Sequence, residues 1–180
     1  MKYINRWSLM RNNNHENIAE HSMMVAAIAH CLAVINNRVF NGDIDAASLS
    51  VRGLYHDAAE VIVGDLPTPV KYFNENIKDS YKALERDAEA KLLNMLPEVL
   101  REDYRALFGT RDDYAAKLLK AADKISAYIK CVEELSSGNN EFKHALQSIK
   151  ADITSCSLPE ADYFMKVFGE AFGKTLDQLN

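Results

Sequence analysis

The sequence has little of what builds disulfide frameworks, strands or membrane spans. It contains only seven glycines, four prolines and three cysteines in 180 residues. Cys31, Cys131 and Cys156 form no CxxC pair and are odd in number, which favours reduced thiols packed as small apolar residues in a cytoplasmic protein. No run of 18 apolar residues occurs, and residues 1–7 lack the apolar stretch of a signal peptide. Neither secretion nor a membrane span is therefore expected.

Basic charge is also scarce. The chain has 21 lysines and arginines against 26 aspartates and glutamates, which gives a net charge of −5. A nucleic-acid polymer requires a basic face, so the composition argues against a polymer as partner. A small anionic substrate is still compatible, because one arginine and one metal ion can neutralise one phosphate.

Apolar residues recur with helical periodicity along most of the sequence. With 48% apolar residues, the chain can build one core, and we predict a single all-α domain over residues 1–180. An Asn17–Glu20 capping box should begin the first helix. Predicted helices cover residues 18–36, 46–63, 77–95, 99–108, 115–135, 142–153 and 161–176, with Gly109 ending the fourth and Asp112 or Asp113 capping the fifth.

The segment from residue 55 to residue 69 concentrates groups that bind metals. His56 and Asp57 are adjacent, and Glu60 follows one helical turn later on the face of His56. Asp57 lies about 100° further around an ideal helix, within reach of the same ion. Imidazole and carboxylate suit manganese, iron, cobalt, nickel or zinc. Because the setting is apolar, the acids need a partner, and either a metal or an arginine or lysine would serve.

His21 falls on the apolar stripe of the first predicted helix. A histidine on a core stripe must be bonded to something, so it is a candidate ligand. His30 is half a turn away and is expected to face solvent. Asp123 lies beside the apolar stripe of a later helix, and periodicity singles it out only weakly. The pair Arg6-Trp7 is open to two interpretations: a helix start with tryptophan on the core, or a clamp for phosphate and sugar or base.

The order of these residues resembles that of the HD-domain metal-dependent phosphohydrolases. A core-facing histidine, a His-Asp pair and a later aspartate reproduce the pattern H…HD…D. More specific segments resemble the YfbR-type 5′-deoxynucleotidases of bacteria, and they span most of the chain. These are INRW (residues 4–7), EHS (20–22), YHDAAEV (55–61), GDLPTPVKYF (64–73) and GNNEF (138–142).

The resemblance implies a helical HD-domain bundle that hydrolyses deoxyribonucleoside 5′-monophosphates to deoxyribonucleosides and phosphate. It also implies a homodimer and one divalent cation, usually cobalt, manganese or copper in vitro. Relatives carry a longer segment ahead of residue 4, so Arg6 and Trp7 follow a trimmed start or are held less firmly. The implied ligands are His21, His56, Asp57 and Asp123.

The same resemblance assigns the remaining roles. Arg6 is expected to orient the phosphate and Trp7 to pack at the deoxyribose. Glu60 and Asp65 are expected to act as acid and base, with Glu60 on the attacking water and Asp65 on the departing oxygen, or exchanged. The residues expected to contact the nucleotide are Arg6, Trp7, His21, Asp57, Asp65, Leu66, Pro67 and Thr68.

Three alternatives are weaker. An HD hydrolase for nucleoside triphosphates or guanosine tetraphosphate would require more basic residues near the site. A cyclic-dinucleotide phosphodiesterase is disfavoured because no Gly-Tyr-Pro motif occurs. A non-catalytic nucleotide sensor would not need all five of His21, His56, Asp57, Glu60 and Asp123.

Overall fold

Helices make up most of the described chain. The computed structural model describes residues 1–108 and 113–178, and over these ranges β-type pairing is limited to one antiparallel bridge between Asn5 and Asn17. The predicted all-α fold is confirmed. The helices are α1 (Ile18–Val39), α2 (Ala46–Tyr55), α3 (Glu60–Val63), α4 (Thr68–Lys71), α5 (Glu75–Asn94), α6 (Glu98–Arg105), α7 (Tyr114–Ser136), α8 (Lys143–Ser155) and α9 (Pro159–Phe168).

Helix α1 is the central element. The predicted capping box begins it: the Asn17 side chain accepts hydrogen bonds from the backbone N–H groups of Ala19 and Glu20, and the Glu20 carboxylate accepts one from the Asn17 N–H. The helix continues to Val39, three residues beyond the predicted end. Helices α2, α7 and α9 pack around it.

By length and composition alone, α1 could cross a membrane. Its best window has a mean hydropathy of 1.7, but 56% of that window is buried inside the fold. The apolar character is therefore that of a core helix, which the bundle covers on several sides.

The core lies where α1 and α7 meet. Fully buried side chains from α1 contact those of α7, and α8 and α9 close the cluster. Its members include Val25, Ile28, Leu32, Leu118, Ile125, Ile129, Ile153 and Phe164. The predicted apolar stripes of α1 and α7 thus supply this core, and the site residues are carried on the helices that form it.

Two predicted helices are wrong in extent. The helix predicted over 46–63 is divided by a turn at residues 56–59, and the helix predicted over 161–176 ends at Phe168. Glycine has a low helix propensity, and Gly169 follows this last helical residue. Beyond it, Phe172 still packs against the core from a short 3₁₀ turn, which explains why the apolar period continues.

Of the two caps predicted for the start of α7, the one at Asp113 is confirmed. The Asp113 carboxylate accepts a hydrogen bond from the Ala116 N–H at 2.6 Å and caps the helix. The predicted stop at Gly109 and the alternative cap at Asp112 lie outside the described residues.

Candidate active site

His21 is fully buried on α1, in the position that periodicity predicted for an apolar residue. Its Nδ1 lies 3.1 Å from the Ser126 hydroxyl on α7. Its Nε2 points to two carboxylates, 3.0 Å from Asp123 Oδ1 and 3.5 Å from Asp57 Oδ2. His21 and Asp123, the first and last residues of the predicted ligand set, are therefore in direct contact. His30, by contrast, is exposed, as expected.

His56 and Asp57 stand in the turn between α2 and α3. Backbone N–H groups bond to carbonyls three residues back: Ala58 to Tyr55 at 3.0 Å and Glu60 to Asp57 at 3.1 Å. Such a 3₁₀ turn advances about 120° per residue, not about 100°. The face shared by His56 and Glu60 on an ideal α-helix is therefore not the geometry found here.

Gly53 brings α2 against α1 beside this turn. A Cβ at this position would lie 2.7 Å from the Cα of Ala26, so only glycine permits this approach. Its carbonyl accepts a hydrogen bond from His56 Nδ1 at 2.8 Å. A carbonyl can only accept, so Nδ1 carries a proton and a neutral His56 presents the lone pair of Nε2.

The cluster fits a divalent cation. The ligand atoms of His21, His56 and Asp123 all lie within 4.8 Å of one another. Both histidine Nε2 atoms are buried and lack a hydrogen-bond partner within the described residues. Asp57 Oδ2 lies 3.1 Å from His56 Nε2. Two unpaired imidazole nitrogens facing carboxylates are what a borderline metal requires.

Charge coupling shifts the pKa values of the same residues. Burial lowers the pKa of His56, but the neighbouring Asp57 carboxylate outweighs it and raises the pKa to about 9. Burial raises the pKa of Asp123, yet the His21 imidazole 3.0 Å away prevails and holds that pKa well below its usual range. Without a metal, the site therefore holds protons that a cation must displace.

Glu60 is an unpaired acid next to this cluster. It is only 8% exposed, and its Oε2 has no hydrogen-bond partner among the described residues. Burial, together with the charges of Asp57 and Asp65, raises its pKa to about 8. Burial also raises the pKa of Asp65, although Arg6 opposes this. Glu60 is thus suited to exchanging protons near neutral pH, and Asp65 holds its proton more firmly than an ordinary aspartate.

Arg6 and Trp7 are joined through one carboxylate that sequence reasoning missed. Glu16 Oε2 accepts hydrogen bonds from Arg6 Nε at 3.2 Å and from Trp7 Nε1 at 3.0 Å. Arg6 also donates from Nη1 to Asp57 Oδ2 at 3.4 Å. Trp7 has a φ of 60°, a conformation that favours glycine, and Asn12 and Met10 hydrogen-bond to its carbonyl. The pair therefore lies at the cluster and does not begin a helix.

A second missed carboxylate holds the segment that follows. Glu134, fully buried near the end of α7, accepts backbone N–H bonds from Asn13 at 2.9 Å and Asn14 at 3.0 Å. Lys130 pairs with Glu134 at 2.6 Å and donates to the Asn14 carbonyl. The spacing of Lys130 and Glu134, four apart in an apolar helix, was the available signal. Glu16 had none.

A cavity of about 460 Å³ opens beside the cluster. Five of the eight predicted substrate residues line it, namely Arg6, Trp7, Asp65, Pro67 and Thr68, together with the predicted ligand Asp123. His21 and Asp57 are not among its lining residues. Leu66 instead lines a separate cavity of about 330 Å³ against α5. Tyr81 in α5 donates a hydrogen bond to the Gly64 carbonyl at 2.8 Å and so braces the start of the 65–68 loop. One cavity thus joins the cluster, the arginine and the loop.

Histidines and aspartates from two helices and from the turn after a third, meeting around one point in this helical arrangement, define the HD-domain class of metal-dependent phosphohydrolases. An HD-domain phosphohydrolase from Listeria innocua has the same fold, with a TM-score of 0.78 over 94% of this chain and 82% of that chain at 24% identity. A conserved hypothetical protein from Pyrococcus furiosus has a TM-score of 0.58 at 26% identity, over 88% of this chain and 83% of that one.

Sequence relatives narrow the class. The family model for the YfbR-like 5′-deoxynucleotidases matches residues 1–172. A 5′-deoxynucleotidase of Enterobacter sp. (strain 638) is 48% identical over all of this chain and 92% of its own length, and one from Yersinia pestis is 47% identical over the same shares. This chain therefore belongs to the YfbR-like 5′-deoxynucleotidase family, and the predicted family is confirmed.

Proposed function

We propose that the protein hydrolyses deoxyribonucleoside 5′-monophosphates to deoxyribonucleosides and inorganic phosphate. The observation that carries this proposal is the meeting of Arg6 with Asp57 at 3.4 Å, beside two unpaired histidine nitrogens and a cavity of about 460 Å³. A cavity of that size accommodates a small ligand and not a polymer. Membership of the family supplies the substrate class.

One divalent cation would be held by His21, His56, Asp57 and Asp123, with cobalt, manganese and copper the expected activators in vitro. The unpaired Nε2 atoms of both histidines support this ligand set. When bound, such a cation supplies positive charge to the phosphate and acidifies water. The chain itself keeps both imidazoles oriented, through Ser126 and the Gly53 carbonyl.

Two carboxyls would move the protons. Glu60 is buried next to the cluster, where it would accept a proton from the attacking water. Asp65 lines the cavity, and its raised pKa suits the donation of a proton to the departing 5′ oxygen. Arg6 would neutralise charge on the phosphoryl oxygens as it develops.

Recognition of the sugar would depend on Trp7. Its indole lies between the hydrogen bond to Glu16 and the ring of Phe142, whose centroid is 5.2 Å away. A ring held at both ends is a stiff wall, and it lines the cavity next to Arg6. A 2′-hydroxyl pressed against this wall would lose water without gaining a hydrogen bond.

We place the enzyme in the cytoplasm as a homodimer. The three cysteines are free thiols, which suits a reducing compartment. Large apolar side chains lie exposed on α5, α6 and the loop before them, including Phe73 at 76%, Met95 at 73% and Val99 at 83%. Exposed apolar side chains of this size suit a subunit interface. Light scattering of the wild type and of Val99→Asp would test the dimer.

The activity is tested by phosphate release from a panel of nucleotides. Metal-depleted protein should be inactive, and added cobalt or manganese should restore hydrolysis of 5′-deoxynucleotides with several bases. Ribonucleotides and 3′-monophosphates should be hydrolysed poorly. If no 5′-deoxynucleotide released phosphate with any of these metals, the proposed function would be wrong.

A further inference from the structure

Helix α5 lies outside the core and packs against the short helices on either side of the loop that carries Asp65. Over the described ranges, the buried core cluster contains no residue of α5. The helix contacts α3, α4 and α6 instead. Tyr81 and Glu85 on α5 are not among the residues that line the cavity of about 460 Å³. Any influence of these two side chains on the chemistry must therefore pass through the loop.

The first contact joins Tyr81 to the peptide group that precedes Asp65. The Tyr81 hydroxyl donates a hydrogen bond to the Gly64 carbonyl at 2.8 Å, and Tyr81 is only 7% exposed. Because a peptide group is planar, the Gly64 carbonyl lies in one plane with the N–H and Cα of Asp65. A hydrogen bond that fixes this carbonyl therefore restrains the position of Asp65 itself.

Packing gives Gly64 no such restraint. Its φ is 78°, and a Cβ built there would meet no atom of the described residues within 4 Å outside its chain neighbours. Its N–H donates to the Glu60 carbonyl at 2.8 Å, which fixes one side of the residue. Glycine rotates more freely than any other residue, so without Tyr81 the peptide plane on the other side would turn at little cost.

The second contact holds the other end of the same segment. Lys71, the last residue of α4, places its Nζ 2.9 Å from Glu85 Oε1, and the two side chains are 26% and 25% exposed. The same Nζ lies 4.8 Å from the centroid of the Tyr81 ring. Tyr81 and Glu85 are four apart and share one face of α5. One helix face thus holds both ends of residues 64–71.

The chain between these two contacts is stiff. Pro67 and Pro69 have their φ angles fixed by their rings, and residues 68–71 form one helical turn. Leu66 faces α5, where it lines the smaller cavity together with Tyr81. A stiff segment that is held at two points cannot pivot, and loss of either point would allow Asp65 to move.

We propose that Tyr81 and Glu85, which we call the α5 brace, position Asp65 to donate its proton to the departing 5′ oxygen. This inference rests on the proposed function. As the P–O bond breaks, the proton of the Asp65 carboxyl goes to the 5′ oxygen, which leaves an ionised aspartate and the hydroxyl group of the deoxynucleoside. A proton donor must lie within hydrogen-bond reach of its acceptor, so a small shift of the loop should lower kcat.

The test changes only the leaving atom. In the bridging 5′-phosphorothiolate of deoxyadenosine, sulfur replaces the departing oxygen of dAMP. A thiol ionises close to neutral pH, so a thiolate leaves without the proton that an alkoxide needs. Tyr81→Phe removes only a hydroxyl group, and the matched control is Tyr163→Phe, on α9 and 37% exposed. Asp65→Asn removes the proton donor itself.

We expect Tyr81→Phe to lower kcat for dAMP about tenfold and kcat for the phosphorothiolate less than about threefold, since a misplaced donor matters only where a proton is needed. Asp65→Asn should show the same pattern, with a loss of roughly 10²-fold on dAMP. Glu85→Gln should show it more weakly. Tyr163→Phe and Glu102→Gln, which breaks an exposed ion pair on α6, should match the wild type.

Amide hydrogen exchange provides a measurement that does not depend on activity. Residues 64–72 should exchange faster in Tyr81→Phe and in Glu85→Gln than in Tyr163→Phe. The metal content of all these variants should equal that of the wild type, because the brace contacts none of the four expected ligands among its hydrogen bonds and ion pairs.

Equal losses of kcat on the two substrates, a change confined to KM, or an unchanged kcat in Tyr81→Phe would overturn the inference. Equal losses in Asp65→Asn would overturn it as well, because Asp65 would then not be the proton donor. The proposed function fails differently, if the wild type releases phosphate from no nucleotide. Hydrogen exchange then decides: faster exchange in Tyr81→Phe would retain a brace on the loop, and unchanged exchange would remove it.

Discussion

The two halves of the candidate site are held by different forces. In the cluster, His21 and Asp123 are carried by α1 and α7, whose apolar faces form the core, and His56 and Asp57 stand in the turn directly after α2. Residues 1–17, which carry Arg6 and Trp7, contain no helix and are fixed by hydrogen bonds to a few carboxylates. Many packing contacts fix the position of the cluster, whereas single hydrogen bonds fix the positions of Arg6 and Trp7. Substitutions in the two halves should therefore fail in different ways.

The largest effect is expected in the helical half. Asp123 is 44% exposed at its side chain, so Asp123→Ala should leave the helical fold intact. Loss of the carboxylate should lower metal-dependent phosphate release more than about 100-fold, since even groups that only orient ligands change metal affinity 10- to 100-fold. Circular dichroism and elemental analysis accompany the assay. Near-normal turnover would remove Asp123 from the ligand set.

Glu60 tests whether this half separates binding of the metal from chemistry. Glu60→Gln should reduce kcat roughly 10²-fold, the scale of a general acid–base group, while the metal content stays that of the wild type. The glutamine keeps the shape of the side chain and removes only its ability to take a proton. Loss of metal in this variant would instead make Glu60 a ligand.

Glu16 tests the half held by hydrogen bonds. Glu16→Gln removes the charge shared by Arg6 and Trp7 and should lower kcat/KM for dAMP about tenfold, the scale of one hydrogen bond to a charged group. The effect should fall mainly on KM, with metal content unchanged. Glu98→Gln, at an exposed position on α6, is the control. A fall in melting temperature with no change in KM would limit Glu16 to a structural role.

Trp7 tests whether the half held by hydrogen bonds distinguishes deoxyribose from ribose. Trp7→Ala should raise kcat/KM for AMP relative to dAMP several-fold, because an apolar wall alone discriminates by at most roughly 10²-fold. The ratio is measured in both proteins under the same metal concentration. An unchanged ratio would remove Trp7 from sugar recognition, and equal rates on AMP and dAMP in the wild type would remove the deoxy preference.

The last expected effect is on the stability of the metal-free protein and not on its activity. The pKa of Glu60 rises from 4.5 to about 8 on folding, so the native state binds the extra proton between these values. Stability of the wild type should therefore fall as pH rises from about 5 to 8, by at most about 1.4 kcal/mol per pH unit from this group. Glu60→Gln lacks this loss.

The difference in melting temperature between Glu60→Gln and the wild type should thus grow from pH 5 to pH 8 in the presence of a chelator. Thermal unfolding at four pH values measures it. A difference that stayed constant across this range would mean that Glu60 titrates normally in the folded protein.

The same contrast explains what the sequence could predict. The place of His21 on an apolar stripe marked it as buried and bonded, because packing leaves a periodic signal. Asp123 had only a weak signal and was assigned through the resemblance. The 3₁₀ turn at residues 56–59 was missed because helix patterns do not separate 3.0 from 3.6 residues per turn over one turn.

Glu16 and Glu134 were missed for another reason. Apart from Lys130, which lies one helical turn before Glu134, their partners lie in irregular segments, and Asn13 is 121 residues from Glu134 in sequence. Hydrogen bonds between distant irregular segments leave no period to read. The cavity was also invisible, because α8 contributes to it through tertiary packing alone.

Gly53 shows how a residue without a side chain can set the size of an ion site. A Cβ there would lie 2.7 Å from the Cα of Ala26, so any other amino acid would push α1 and α2 apart. His21 precedes Ala26 by five residues and His56 follows Gly53 by three, so the two imidazoles would separate as well. The distance between the two histidine ligands is thus set by the contact between the backbones of α1 and α2. A substitution at Gly53 can therefore alter which ion binds, although Gly53 has no side chain that touches the ion.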